Sequence, residues 1–187
     1  YFDKLKIIFN ELDKKVSILD KEYTLTSFQA ELWRSIDESK LLGISAPTSA
    51  GKSFLIYLKI IDLIAKGASR FVYVVPTLSL ISQVTSDLSK LLRQHNLRHI
   101  SVLTSYEDID NFFIYVVTQE RAISIFGEEG INLLDLLVVD EIQNIEKVAN
   151  EGEDRSKILY DVLIDVRNDI EVKRIILSGP RLKNIGN

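Results

Sequence analysis

Residues 46–53, with the sequence Ala-Pro-Thr-Ser-Ala-Gly-Lys-Ser, decide the fold of this chain. They follow the short apolar run Leu41–Ser45, which suits a buried strand, and they precede residues 54–65, whose apolar side chains recur at helical spacing. A loop between a strand and a helix presents backbone N–H groups and the positive end of the helix dipole to an anion. The stretch is therefore predicted to be a phosphate-binding loop formed by Thr48, Ser49, Ala50, Gly51, Lys52 and Ser53.

Two side chains at the end of this loop carry chemistry. Lys52 is predicted to reach the β- and γ-phosphates of a nucleotide, and the Ser53 hydroxyl to bind Mg²⁺. The usual pattern of such loops begins with glycine, whereas Ala46 stands at that position here. The alternative interpretation is a chance turn before a helix, but the flanking strand and helix patterns favour the nucleotide site.

A pair of acidic residues supplies the second half of the predicted site. Asp140 and Glu141 directly follow the apolar run Leu136–Val139, which places them at the carboxyl edge of a predicted sheet, where ligand crevices form. Asp140 is predicted to hold Mg²⁺ through water opposite Ser53, and Glu141 to polarise the attacking water. The alternative is an acidic first turn of a helix. The position downstream of the loop, with strand patterns between, favours catalytic roles for Lys52, Asp140 and Glu141.

Composition limits the class of protein. The chain has 187 residues, 46% of them hydrophobic, which suits one domain with a substantial core. The net charge of −4 gives no bulk support for nucleic-acid binding, so such binding must come from a local patch. The absence of cysteine excludes disulfides and thiolate metal sites, and His95 and His99 are predicted to lie on the surface. No apolar run is long enough to span a membrane, and a cytoplasmic location is expected.

The first residue, Tyr1, and the absence of methionine suggest a piece of a longer product. A leading amphipathic helix is predicted over residues 1–22 from the spacing of Leu5, Ile8, Phe9, Leu12, Val16 and Leu19. A second helix is predicted to begin at Thr26 and Ser27 and a third to cover residues 78–94.

Apolar runs predict further strands at residues 71–75, 100–103, 112–117, 134–139 and 174–177. Runs that are apolar on both faces indicate a parallel sheet covered by helices, so the predicted fold class is α/β, with three α/β/α layers and a mainly parallel sheet. Residues 144–157 are predicted to form a partly mobile connection, and helical spacing resumes over residues 158–166.

The loop at residues 46–53 and the sequence Asp140-Glu141-Ile142-Gln143 resemble motifs I and II of superfamily 2 helicases, specifically the DExH-box branch. The second motif of that branch commonly ends in histidine, where this chain has Gln143. The resemblance implies a RecA-like P-loop NTPase domain that uses ATP and Mg²⁺. It further implies that residues 23–187 form the first RecA-like domain and that a second RecA-like lobe of the parent chain, absent from this sequence, completes the site.

Other positions follow the order of the same family. Gln29 is similar to an upstream glutamine that reads adenine, and Tyr23 or Leu25 would cover the base. By resemblance to motifs Ia and Ib, the residues expected to contact the backbone of DNA or RNA are Pro76, Thr77, Thr118, Gln119 and Arg121. The threonines equally suit helix N-caps, and the two roles are compatible. Gln143 and Ser178 are expected to couple nucleotide state to movement, although Pro180 replaces the hydroxyl residue usual in the third motif.

These features together predict the ATP-binding motor lobe of a helicase or translocase that moves on or unwinds DNA or RNA. A protein-moving P-loop ATPase is one alternative, and Gln29 and the Pro76-Thr77 loop argue against it. A non-catalytic or remodelling nucleic-acid clamp is the other, and intact Lys52 and Asp140 argue against it. Because the arginine finger of the second lobe is missing, the fragment alone is expected to bind ATP weakly and to hydrolyse it very slowly.

Overall fold

The computed structural model describes residues 13–105, 112–127, 131–142 and 170–179. Within these ranges ten strands and four α-helices are present. The strands are β1 (Lys15–Ile18), β2 (Lys21–Thr24), β3 (Leu41–Ser45), β4 (Arg70–Val75), β5 (Val102–Leu103), β6 (Phe113–Thr118), β7 (Leu133–Leu134), β8 (Leu136–Val139), β9 (Glu171–Val172) and β10 (Ile175–Gly179). The helices are α1 (Ser27–Glu38), α2 (Lys52–Ala65), α3 (Leu78–Gln94) and α4 (Gln119–Gly127), and residues Thr48–Ala50 form a 3₁₀ turn.

A six-stranded sheet in the order β3-β10-β8-β4-β6-β5 forms the centre of the domain. Every neighbouring pair in it is parallel, with Tyr73 of β4 opposite Val138 of β8 and Val75 of β4 opposite Thr118 of β6. All the strands therefore end at one edge. The central strands β4, β6 and β8 are buried on both faces, which explains their unbroken runs of β-branched and aromatic residues.

Helices cover the sheet on both faces. Buried residues of α1, α2 and α3 pack with Phe71, Tyr73 and Val75 in one core cluster, whereas α4 packs with Val72 and Val74 in the other. Alternate residues of β4 thus face opposite helical layers, as the period of a strand requires. The predicted three-layer α/β/α fold with a parallel sheet is confirmed.

A buried lysine joins α1 to α2. Lys59 is fully buried, and its Nζ lies 2.7 Å from Asp37 Oδ2 of α1 and 3.1 Å from Asp62 Oδ2 of its own helix. The same Nζ lies 4.0 Å from the centre of the Trp33 ring. Lys66, which is exposed, also pairs with Asp62 at 2.7 Å. Burial of a charge is tolerated only with such partners, so this cluster fixes the position of α1 against α2.

The prediction of a helix over residues 1–22 is wrong over its last part. Residues Lys15–Ile18 and Lys21–Thr24 pair as an antiparallel hairpin, in which Lys15 forms an ion pair with Glu22 across the strands. Alternating burial of Val16 and Ile18 replaces the helical period, and Leu19 turns the chain with a positive φ of 51°. Residues 1–12 lie outside the described residues.

His95 is not on the surface as predicted. It caps the carboxyl end of α3, is 5% exposed, and its Nε2 lies 2.7 Å from the Tyr23 hydroxyl of the hairpin. Burial lowers the pKa of His95, and nearby Lys21 lowers it further, so the imidazole is neutral at pH 7. His99 is exposed, as predicted.

The strand predicted at residues 134–139 is divided by Asp135 into β7 and β8. The Asp135 carboxylate accepts the backbone N–H groups of Ser69 and Arg70 at 2.8 and 3.0 Å, and the ammonium of Lys173 at 2.8 Å. It therefore fastens the amino end of β4 to the chain before β10. Burial alone raises the pKa of Asp135, but these hydrogen bonds outweigh it and hold the pKa below its usual value.

Replacing Asp135 by asparagine is expected to lower the free energy of unfolding at pH 7 by about 2 kcal/mol, because the amide NH₂ meets donors and no charge remains for Lys173. The pKa of Asp135 is lower in the folded protein than in the unfolded chain. The carboxylate therefore stabilises the fold above pH 4, and this stabilisation is lost as the pH falls through the pKa of the folded state. Urea unfolding from pH 7 downward should show the difference from wild type shrinking, and Asp20→Asn, an exposed change, should show none. A difference independent of pH would contradict this role.

No helix within the four described ranges is long and apolar enough to cross a membrane. The predicted connection at residues 144–157, the helical pattern at 158–166, and positions Gln143 and Pro180 all lie outside the described residues.

Candidate nucleotide site

The predicted phosphate loop lies where β3 ends at the carboxyl edge of the sheet. The 3₁₀ turn Thr48–Ala50 is followed by Gly51, which has a φ of 73°, and α2 begins at Lys52. The Ala46 backbone N–H donates to the Gly179 carbonyl of β10 at 3.2 Å, which ties the start of the loop to the neighbouring strand. The loop therefore precedes a helix N-terminus whose first N–H groups are available to an anion.

Lys52 is folded into the loop. Its side chain is 3% exposed, and its Nζ donates a hydrogen bond to the Ala46 carbonyl. A backbone carbonyl of the phosphate loop therefore holds the ammonium at that loop. A buried ammonium with a carbonyl partner is the kind of cation that phosphate oxygens attract.

Gly51 lies against Gln29 of α1. A Cβ at this position would meet Gln29 Nε2 at 2.6 Å, and the positive φ adds backbone strain for any other residue. The Gln29 amide therefore sits directly over the loop, and its Nε2 approaches the Ala50 carbonyl at 3.4 Å. The positive φ of Gly51 therefore favours glycine at the point where the amide meets the loop.

The other end of the Gln29 side chain caps its own helix. Its Oε1 accepts the Thr26 backbone N–H at 3.0 Å, while the Gln29 backbone N–H donates to the Thr26 hydroxyl at 3.2 Å, which completes a capping box. Of the two residues predicted to cover a base, Leu25 is buried in the core. Tyr23 instead packs edge-on against the ring of Phe54, and its hydroxyl is hydrogen-bonded to His95 Nε2.

Asp140 emerges from β8 on the same edge and is fixed at both carboxylate oxygens. Tyr73 donates its hydroxyl to Oδ2 at 2.7 Å, and the Glu141 backbone N–H donates to Oδ1 at 3.0 Å. Glu141 has a positive φ of 54°, an unusual conformation for this residue. Such local strain is typical of residues whose side chain must point in one direction.

A cleft of about 490 Å³ brings the two predicted halves of the site together. Ser53 from the loop lines it with Asp140 and Glu141, and the other walls are formed by Phe54 and Tyr57 of α2 and by apolar, polar and charged residues along α3. A hydroxyl facing a carboxylate across such a space is a donor set that suits a hydrated Mg²⁺. The residues present thus fit a nucleotide with its metal.

The residues predicted to contact nucleic acid lie at the ends of the neighbouring strands β4 and β6. Thr77 caps α3, with its hydroxyl accepting the Leu80 N–H at 3.3 Å, and it is exposed. Arg121 is exposed and donates to the Thr104 carbonyl at 2.9 Å. Thr118 and Gln119 are buried, which departs from the expected contact. In the described conformation Pro76, Thr77 and Arg121 are therefore the members of this group open to a partner.

Ser178 lies in β10 between the loop strand and the Asp140 strand. It is fully buried, and its hydroxyl has no hydrogen-bond partner among the described residues. Sequence reasoning identified Ser178 but missed Tyr73 and Tyr57. The available signal was the alternation of β4, which directs Tyr73 toward the same layer as α2.

Comparisons with known proteins show the family and the fold of the chain. The family model described as DEAD/DEAH box helicase matches residues 26–179. No curated protein sequence matches the chain significantly.

Three solved structures share the fold at low sequence identity. A DEAD box protein from the hyperthermophile Methanococcus jannaschii is 18% identical, with a TM-score of 0.65 over 85% of this chain and 44% of its own. The yeast DEAD-box splicing factor Prp28 is 15% identical, with a TM-score of 0.57 over 77% of this chain and 37% of its own. The Mycobacterium smegmatis helicase Lhr, bound to single-stranded DNA and AMP-PNP, is 20% identical, with a TM-score of 0.62 over 85% of this chain and 23% of its own. The chain thus spans less than half the length of each.

Proposed function

The chain belongs to the DEAD/DEAH box helicase family, and from this premise we propose that it is the ATP-binding motor lobe of a helicase or translocase acting on DNA or RNA. The observation that carries the proposal is the cleft lined by Ser53, Asp140 and Glu141 beside the phosphate loop. One cleft combines a hydroxyl, a fixed carboxylate and a second acid, as metal-assisted phosphoryl transfer to water requires.

Each residue has a distinct proposed role. The loop N–H groups from Thr48 to Ser53 and the Lys52 ammonium would bind phosphate oxygens. Ser53 and Asp140 would hold the metal, Asp140 through water. Glu141 orients the attacking water and accepts its proton. Bound ATP and Mg²⁺ supply the transferable phosphoryl group and the cation that neutralises its charge. Gln29 recognises adenine. Ser178 and Gln143 couple the nucleotide state of the site to movement.

We assign residues 23–187 to the first RecA-like lobe and the rest of the cleft to a second lobe elsewhere in the parent protein. The shares of the three solved structures that the chain covers support this division. The sequence of residues 46–53 supports the DExH branch within the family, whereas Gln143 stands where that branch commonly has histidine. Thr77 and Arg121, which are exposed after β4 and β6, are the best placed to hold a sugar-phosphate backbone.

The test is the ATPase activity of the full-length parent protein, measured separately with single-stranded DNA, duplex DNA and RNA. If one of these nucleic acids stimulates ATPase turnover and the stimulation disappears in the double variant Thr77→Ala/Arg121→Ala, the result would support a nucleic-acid motor. Turnover indifferent to nucleic acid would favour the protein-moving ATPase, and the absence of turnover with nucleic acid still bound would favour the clamp.

Replacing Gln29 by alanine is expected to reduce the preference for ATP over GTP about tenfold, because one matched pair of hydrogen bonds to the base is lost. Competition titrations against a fluorescent nucleotide measure this ratio. Thr26→Ala is the matched control, since it removes the other half of the capping box and leaves the Gln29 amide in place. Equal loss of preference in both variants would mean that Gln29 acts through the helix start alone.

A further inference from the structure

Tyr73 occupies an unusual place for a fully buried phenol. It lies in the central strand β4, is 1% exposed, and its hydroxyl projects toward the carboxyl edge of the sheet rather than into a purely apolar core. There it donates to Asp140 Oδ2 at 2.7 Å. Since Asp140 lies two residues beyond Val138, the partner of Tyr73 across the sheet, the length of the side chain matches this step.

A second tyrosine continues the contact to the helix that carries the loop. Tyr57 of α2 packs against Tyr73, with the two ring centres 5.9 Å apart. Tyr57 lies one turn beyond Ser53 and lines the same cleft as Asp140. The link from α2 to the carboxylate therefore consists of ring packing between Tyr57 and Tyr73, followed by the hydrogen bond from Tyr73 to Asp140.

The link leaves Asp140 little freedom. Oδ2 is held by Tyr73, Oδ1 by the Glu141 N–H, and the Asp140 backbone N–H donates to the Val74 carbonyl at 2.9 Å. Partners that orient a ligating carboxylate contribute strongly to metal affinity, since an unheld ligand pays the entropy of ordering when the metal binds.

We propose that Tyr73 is a positioning residue that holds Asp140 in the orientation that receives Mg²⁺, with Tyr57 fixing Tyr73 to the helix of the phosphate loop. The inference rests on the proposed nucleotide site. It assigns the hydroxyl of Tyr73, and not merely its ring, to that site.

The experiment compares nucleotide affinity with Mg²⁺ and with EDTA, using a fluorescent ATP analogue. Tyr73→Phe deletes the hydroxyl and keeps the ring, and is expected to reduce the Mg²⁺-dependent gain in affinity about tenfold while the affinity in EDTA stays unchanged. Tyr115→Phe is the matched control, because it makes the same change at an equally buried tyrosine in the opposite core cluster. Its Mg²⁺-dependent gain should equal that of wild type.

A folded Tyr73→Phe with an unchanged Mg²⁺-dependent gain would overturn the inference. If that variant does not fold, Tyr57→Leu, which removes the ring packed on Tyr73, gives the decision. The expected result is a loss of about threefold in the same gain, and no loss is the contrary result. A wild-type protein that binds no nucleotide would instead overturn the proposed function itself, and the two failures are thereby distinguished.

Discussion

Replacement of Lys52 by alanine is expected to weaken binding of ATP about 100-fold, because a buried ammonium that contacts phosphate oxygens contributes the strongest class of hydrogen bond available to the loop. Lys52 is 3% exposed and held by the Ala46 carbonyl, so its charge is already desolvated and oriented before a ligand arrives. In the full-length parent, hydrolysis should fall by at least the same factor. Titration with a fluorescent nucleotide and steady-state ATPase assays measure the two effects.

The matched control is Lys40→Ala, which removes an exposed lysine just before β3. It should leave both affinity and turnover within twofold of wild type, as expected for a screened surface charge. An affinity for ATP that is unchanged in Lys52→Ala would show that Lys52 does not contact the phosphates, and would contradict the proposed function.

Replacement of Lys59 by methionine is expected to lower the free energy of unfolding by about 3 kcal/mol, since breaking a buried ion pair leaves the remaining charges without compensation. Methionine keeps most of the apolar stem, so the change isolates the ammonium. This loss of stability lies at the low end of what breaking a buried ion pair costs, because Asp62 keeps its ion pair with Lys66 and the Asp37 side chain is partly exposed. Chemical denaturation with tryptophan fluorescence measures it, since Trp33 lies over the Lys59 ammonium.

Lys66→Met tests whether burial is decisive. Lys66 contacts the same Asp62 oxygen as Lys59 but is exposed, and its loss should cost less than about 1 kcal/mol. Similar losses in the two variants would contradict the claim that the buried lysine joins α1 to α2.

Local patterns explain which parts of the fold are predictable. The strand at residues 41–45, the loop and the helix at 78–94 each carry their own signal, in apolar period and in the chemistry of the residues at their ends. The hairpin is different, because Val16 and Leu19 fit a helical period as well as a strand. The hairpin brings Tyr23 into contact with His95, 72 positions away, and a contact over that separation leaves no local signal.

The site shows the same division. Lys52, Ser53, Asp140 and Glu141 are recognisable from their chemistry and from their places after strands. Tyr73 is not, because a tyrosine within an apolar strand is ordinary core, and only the register between β4 and β8 brings its hydroxyl to Asp140. The burial of Gln119 likewise follows from how α4 packs on β6, a tertiary contact that no local pattern encodes.

The capping box of α1 implies a competition for one side chain. In the free domain the Gln29 amide is engaged at both ends, by the Thr26 N–H and by the Ala50 carbonyl. A base that hydrogen-bonds to this amide must displace it from the Thr26 N–H, and one such hydrogen bond contributes about 1 kcal/mol. Under the proposed role, the hydrogen bonds between a nucleobase and Gln29 must outweigh the hydrogen bond lost at the start of α1. A base whose hydrogen-bonding edge does not match the amide forms no bonds that offset this loss.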